Sequence, residues 1–152
     1  MIIRKAFTAD VPEIKKLIEP FVVEGLLLPK SLHSLYSCIR DFWVMSDNDS
    51  EIIGCSAMQV SWEDTGEIRT LAVRKDMQGR GYGSEIVKTC IDEAKELGLK
   101  KVFTLTYKET FFKKAGFKPI SKSKLPNKIW ADCIHCPHFP DCDETALIYR
   151  IK

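Results

Sequence analysis

No run in this 152-residue chain approaches the roughly 18 consecutive apolar residues of a membrane-spanning helix, which excludes a helical membrane protein. A surplus of one charge is missing too. Lys and Arg number 23 against 21 Asp and Glu, and a net of +2 without any block of like charge argues against a nucleic-acid surface. The opening Met1-Ile2-Ile3-Arg4-Lys5 lacks the long apolar region of a secretion signal. A cytoplasmic location is therefore expected, with the six cysteines reduced. Internal repeats, low-complexity tracts and linkers are absent, so residues 1–152 read as one domain with room for one sizeable core. Two common nucleotide signatures are missing as well. No Gly-Lys-Ser/Thr closes a glycine-rich turn. The spacing Gly79-x-Gly81-x-Gly83 is wrong for a dinucleotide fingerprint, and Val102-Phe103-Thr104-Leu105-Thr106 lacks the acid that fingerprint needs.

What is present is organised around residues 67–98. Ile68-Arg69-Thr70-Leu71-Ala72-Val73 is an apolar strand, Arg74-Lys75-Asp76-Met77 a turn, and Gln78-Gly79-Arg80-Gly81-Tyr82-Gly83-Ser84 the entry to a helix. Ile86, Val87, Cys90, Ile91, Ala94 and Leu97 recur at helical spacing, and Gly98 sits where a helix stops. A strand that passes into a helix through glycines gathers unpaired backbone N–H groups at the positive end of the helix dipole. Such a turn is a site for phosphate.

Around this centre the chain reads in order. Residues 2–6 form a strand, and Asp10 is placed to cap a helix with Pro12 in its first turn and Glu13 at capping-box spacing. Ile14, Leu17, Ile18 and Phe21 give its buried stripe, and Gly25 breaks it. Ser31 caps a second helix with Leu32, Leu35, Tyr36 and Ile39 on one face. Residues 42–45 and 51–59 form a hairpin around Asp47-Asn48-Asp49, with Gly54 a bulge or kink. Residues 62–66 connect to the central strand. After Gly98 come a strand at 101–106, a helix at 109–115, a strand from Phe117 and a last strand at 145–151.

Gln78-x-x-Gly81-x-Gly83, the Leu71-Ala72-Val73 strand before it and Phe111-Phe112-Lys113-Lys114-Ala115-Gly116-Phe117 after it resemble the GNAT acetyltransferase superfamily. That family carries its acetyl-CoA pyrophosphate loop, Q/R-x-x-G-x-G/A, between the fourth strand and the third helix. The order β-α-α-β-β-β-α-β-α-β with a closing strand matches the family throughout. The resemblance implies an α/β (α+β) fold: a mixed, mostly antiparallel twisted sheet, splayed at its centre, with helices on both faces. Acetyl-CoA, the cosubstrate, would lie in the gap. The positions implied for it are Gln78, Gly79, Arg80, Gly81, Tyr82, Gly83 and Ser84, the backbone of Leu71, Ala72 and Val73, and Phe112.

Acetyl transfer needs a neutral amine, and a carboxylate acting through water can remove its extra proton. Glu67 stands where many of these enzymes carry that base, with Glu63 and Asp64 as substitutes in reach. The oxyanion falls to a backbone N–H around Leu71 or Ala72, and the backbone of Leu71 and Val73 would hold the pantetheine arm as an added strand. The family's frequent general-acid Tyr is matched here by Phe112, which leaves Tyr107 as the nearest replacement. A thiol of pKa about 8.5 also leaves tolerably without help.

The acceptor is suggested by Leu28-Pro29-Lys30-Ser31, Ile39-Arg40-Asp41-Phe42, Ile53-Gly54-Cys55-Ser56-Ala57, Gly66-Glu67-Ile68-Arg69 and Phe103-Thr104-Leu105-Thr106. Over residues 22–120 these segments resemble the acetyltransferase domain of bacterial N-acetylglutamate synthases. The implied acceptor is the α-amine of L-glutamate, at the first step towards arginine. With no amino-acid-kinase-like segment, the resemblance is to the short stand-alone form, and arginine feedback through such a domain is not expected. Two carboxylates call for cationic contacts, which Lys30, Arg69 and Lys108 are placed to supply. Arg40 reads instead as a helix C-terminal charge. Another small amine, a protein N-terminus, or a catalytically silent module whose cysteine tail binds zinc and docks a partner remain the competing readings. Members of this superfamily often pair, so a homodimer is a further expectation.

Residues 121–144 are a Cys-rich loop before the last strand. Cys133-x-x-Cys136, Cys142 and either His135 or His138 are a chemically sufficient zinc set, but the second Cys or His pair that would strengthen it is missing. The reading adopted is a proline-pinned loop with reduced thiols and no metal. Cys38, Cys55 and Cys90 fall in apolar-periodic segments and read as small core residues.

Overall fold

A computed structural model describes residues 1–124 and 144–152. The chain forms β1 (Ile2–Lys5), α1 (Val11–Val23), α2 (Leu32–Ser37), β2 (Phe42–Ser46), β3 (Ile52–Trp62), β4 (Thr65–Val73), α3 (Tyr82–Glu96), β5 (Lys101–Thr106), α4 (Glu109–Lys114), β6 (Lys118–Pro119) and β7 (Thr145–Arg150). The sheet runs β1-β2-β3-β4-β5-β7-β6. Every neighbouring pair is antiparallel except β4 and β5. This is the expected mixed, mostly antiparallel α/β sheet.

Alternation along the strands splits the core between the two faces. On one face Val11, Ile14, Leu17 and Ile18 of α1 and Leu35 of α2 pack on Val44, Cys55, Ala57 and Ala72. On the other, Val87, Cys90, Ile91 and Ala94 of α3 and Phe112 of α4 pack on Met58, Ile68, Val102 and Leu147. The register of β3 against β2 slips where Met45 pairs with Gly54 but Ser46 with Ile52. Gly54 therefore sits at the expected bulge. A Cβ there would come within 2.8 Å of Ile86 Cδ1, so the glycine also lets α3 close on the sheet.

Helix ends follow local chemistry. Ser31 Oγ accepts from the Ser34 N–H at 3.0 Å, as its capping role requires. At the end of α3, Gly98 (φ +83°) donates to Lys95 O and Leu99 to Ala94 O, a left-handed stop with both carbonyls satisfied. Leu99 is buried there, whereas Leu97, expected in the buried stripe, is 56% exposed. Leu32 and Tyr36 likewise face solvent, because a six-residue α2 offers the core only Leu35.

Three other expectations are corrected. Asp10 does not cap α1 through its side chain. Its carboxylate instead takes the Phe7 N–H and two hydrogen bonds from Arg4 at 2.7 and 3.0 Å, a bidentate ion pair that outcompetes a helix N–H. Residues 62–66 are not a connector: β3 runs to Trp62 and β4 begins at Thr65, leaving a two-residue turn. Phe117 precedes β6 as a buried anchor rather than starting it.

Candidate active site

The site begins where β4 and β5 part. Thr65, Gly66 and Glu67 pair with Lys101, Val102 and Phe103, and the pairing goes no further. Just beyond, the buried Thr104 hydroxyl donates to Ile68 O at 3.0 Å, a side chain standing where a ladder bond would continue. The edge of β4 from Arg69 to Val73 thus faces a gap, and an unpaired strand edge is a template for an extended ligand.

On its other side β4 carries a bulge. Cys55 pairs with Ala72 but Ala57 with Arg69, so Thr70 and Leu71 oppose the single residue Ser56. Thr70 adopts φ +55°, a left-handed conformation that a β-branched residue takes at a cost of roughly 1–3 kcal/mol. Neighbours brace the distortion: Cys55 Sγ contacts Thr70 O and Ser56 Oγ contacts Arg69 O, both at 3.4 Å. The bulge also re-phases the strand. Ala72 packs with the α1 cluster while Ile68 lies against α3.

The turn after β4 gathers backbone N–H groups at the start of α3. Gly79 (φ +79°) and Gly81 (φ +85°) are both left-handed, the conformation glycine adopts without strain. The first backbone bond of α3 runs from Glu85 N to Gly81 O, so by helix geometry the N–H groups of Tyr82, Gly83 and Ser84 have no intrahelical acceptor. Gly83 fits the ring of Phe111, whose Cε2 and Cζ would lie 3.3 Å from an added Cβ. Gln78 serves the loop from behind: its amide donates to Val73 O at 3.0 Å and ties the turn to the strand end. Lys75, paired with Glu24 at the end of α1, links the same turn to the opposite wall.

A cavity of about 580 Å³ joins these parts. Glu67, Arg69, Leu71, Ala72, Val73, Gln78, Gly79, Gly81, Tyr82, Gly83, Ser84, Tyr107, Lys108, Phe112 and Lys30 all line it, each expected from the sequence. Arg80 does not. It is exposed, and its charge acts on Asp76. Glu67 and Arg69 project side by side, with Nε of Arg69 3.8 Å from Oε1 of Glu67. Phe112 is buried, edge-on to Phe111 and Phe117 at 5.0 and 5.1 Å, and contributes an apolar wall with no proton to give. Tyr107 is half-buried at the cavity.

The sequence reading missed the wall formed by Phe21, Val22, Leu26 and Leu27, and also Thr104, Met77 and Phe111. The Leu26-Leu27-Leu28 run after Gly25 was the available signal, since apolar residues in a loop need something to cover. The Cys133, Cys136, Cys142, His135 and His138 set lies outside the described residues, and among the described residues no metal-binding cluster occurs. Burial pushes the Cys55 and Cys90 thiols up to about 12, so they are neutral core groups rather than nucleophiles. No described helix is long and apolar enough to cross a membrane.

A splayed sheet whose gap leads onto helix-entry amides, with a carboxylate at its fork, is built to hold an extended, phosphate-bearing ligand beside a proton acceptor. Comparison with known proteins narrows the class. The pattern of the acetyltransferase (GNAT) family matches residues 14–117. The chain is 38% identical over 131 residues to an amino-acid acetyltransferase of Mycobacterium tuberculosis, covering 85% of this chain and 75% of that one. It is 37% identical over 146 residues to an uncharacterized N-acetyltransferase of Chlorobaculum tepidum, covering 96% and 94%. Among solved structures, Rv2747 from Mycobacterium tuberculosis in complex with CoA superposes over the whole of both chains, with a TM-score of 0.85 at 32% identity. N-acetylglutamate synthase from Neisseria gonorrhoeae, complexed with coenzyme A and N-acetyl-glutamate, gives a TM-score of 0.91 at 29% identity over 99% of this chain and 35% of that one. The chain belongs to the GNAT acetyltransferase family, and its acyl donor is acetyl-CoA.

Proposed function

We propose that this protein transfers the acetyl group of acetyl-CoA to the α-amine of L-glutamate, the N-acetylglutamate synthase reaction at the entry to arginine biosynthesis, in the cytoplasm. The observation that carries the reading is the company Glu67 keeps. An acid sits at the fork of the sheet with Arg69 beside it, and Lys30 and Lys108 line the same cavity. Opposite charges next to each other suit a zwitterion, and additional cations suit a second carboxylate. The amino-acid acetyltransferase names among the relatives support the same reading.

In this mechanism the helix-entry amides of Tyr82, Gly83 and Ser84 hold the pyrophosphate, and the open edge of β4 holds the pantetheine arm. Glu67 takes the ammonium proton directly or through water, which frees the nitrogen lone pair to attack the thioester carbon. The oxyanion develops towards the backbone N–H of Leu71 or Ala72, where the Thr70 bulge redirects the strand. Collapse releases the thiolate as the nitrogen gives up its second proton to water, and Tyr107, which lines the cavity, is the group assigned to protonate the sulfur. Initial rates against each of the twenty amino acids, with acetyl-CoA in excess and thiol release as readout, test the proposal. L-Glutamate is expected to lead by at least tenfold. A flat profile, or preference for a peptide N-terminus, would overturn the acceptor assignment.

A further inference from the structure

Arg69 is held from behind as well as from the side. Its Nη1 donates to Oε1 of Gln59 at 2.9 Å, while its Nε faces Glu67 at 3.8 Å. Gln59 lies on β3 directly opposite Glu67, two residues from Ala57, which opposes Arg69. It is half-buried and does not line the cavity, whereas Arg69 does. Arginine only donates, so the contact fixes the amide with its oxygen towards the guanidinium. A guanidinium on a long stem loses much rotamer freedom when it binds a carboxylate in one orientation, and a partner that sets its plane beforehand reduces that loss.

The pairing also has a length scale. Glu67 and Arg69 present opposite charges 3.8 Å apart. Within one α-amino acid, bond lengths place the ammonium nitrogen roughly 3 Å from its carboxylate oxygens. We propose that Gln59 is a positioning residue for acceptor choice, holding the Arg69 guanidinium where it receives the acceptor's α-carboxylate while Glu67 receives the amine. The inference deepens the function proposed above and rests on it. It goes further by assigning α-carboxylate selection to a residue outside the cavity that acts through Arg69.

The test compares wild type, Gln59→Met, Arg69→Met and the double variant on L-glutamate and on its α-amide. Gln59→Met keeps the side-chain length but removes the oxygen. It is expected to raise the KM for L-glutamate about tenfold, the scale of one hydrogen bond to a charged group, with kcat and the KM for acetyl-CoA within about twofold. The same substitution should change the α-amide's KM little, and should add nothing in the Arg69→Met background. An unchanged KM for L-glutamate, or an equal rise for both acceptors, overturns the proposal. If Gln59→Met loses CoA binding, Gln59→Thr replaces it, a strand former too short to reach Arg69, with the same expectation. Wild-type turnover of L-glutamate is the separate arm for the function itself. Should another α-amino acid be preferred, the glutamate assignment falls and the Gln59 comparison is made with that acid and its amide. Should amines without a carboxylate react equally well, both fall.

Discussion

Glu67 is buried to 7% exposure yet lines the cavity, a position in which an acid must have either a partner or a task. Arg69 supplies the partner, and the acceptor amine would supply the task. Glu67→Gln keeps the shape and removes the proton acceptor. Its turnover should fall about a hundredfold at neutral pH, with the deficit shrinking at high pH as free amine becomes abundant, while acetyl-CoA affinity stays nearly unchanged. Equal activity across the whole pH range would remove Glu67 from the mechanism. Lys30 tests the acceptor's second carboxylate: Lys30→Met should raise the KM for glutamate about tenfold and leave that for acetyl-CoA alone. An unchanged KM would discard the contact. Phe112 illustrates a different economy. Its ring is packed edge-on to Phe111 and Phe117 and has no proton to give, so in the proposed mechanism the thiolate is protonated by Tyr107 or by solvent.

At the level of elements, the turn between β4 and α3 depends on backbone conformation more than on side chains. Gly79 and Gly81 have open space around them, so an added methyl group would strike nothing; what excludes it is the left-handed φ. Gly81→Ala should therefore fold with little change in Tm yet bind CoA about tenfold more weakly, the cost of roughly 1–2 kcal/mol for a left-handed alanine being relieved by turning the loop amides out of line. Calorimetric titration with CoA measures it, and full affinity in the variant would show that the loop does not depend on this geometry. Bulges do comparable work inside the sheet. The slip at Gly54 brings α3 onto β3 through Ile86, and the slip at Thr70 turns the β4 backbone towards the gap.

Across the whole molecule, the sheet has two halves that share only a short parallel contact, with α1 and α2 covering one face and α3 and α4 the other. The second helix layer bridges the fork, packing on Met58 and Ile68 of one half and on Val102 and Leu147 of the other. In the half that starts with β1, Arg4 and Asp10 fasten the first strand to the entry of α1. Hydrogen bonding from Arg4 holds the Asp10 carboxyl below its ordinary pKa of 3.8. A folded-state pKa depressed in this way contributes stability that is present above the unfolded value and lost as pH falls through the folded one. Asp10→Asn should therefore lower Tm at neutral pH, and its Tm gap from wild type should close below about pH 4. Thermal melts at several pH values check this, and a gap independent of pH would assign the loss to packing instead.

The order of elements and the glycine turn were legible in short-range spacing: period 3.6 in α1 and α3, alternation in the strands, glycines where φ must be positive. About half of the cavity-lining residues were expected, and those came through the resemblance to the family rather than from spacing. Where short-range logic misled, a competing neighbour had decided the matter. Asp10 took Arg4 in preference to a helix N–H, and Leu97 gave its burial to Leu99. Two features belonged to tertiary structure alone. At the fork Ile68 O accepts from the Thr104 hydroxyl of another strand, and Arg69 donates to Gln59 across the ladder. Neither contact leaves a trace in local spacing, since the residues are 36 and 10 positions apart and meet only once the sheet has set its register.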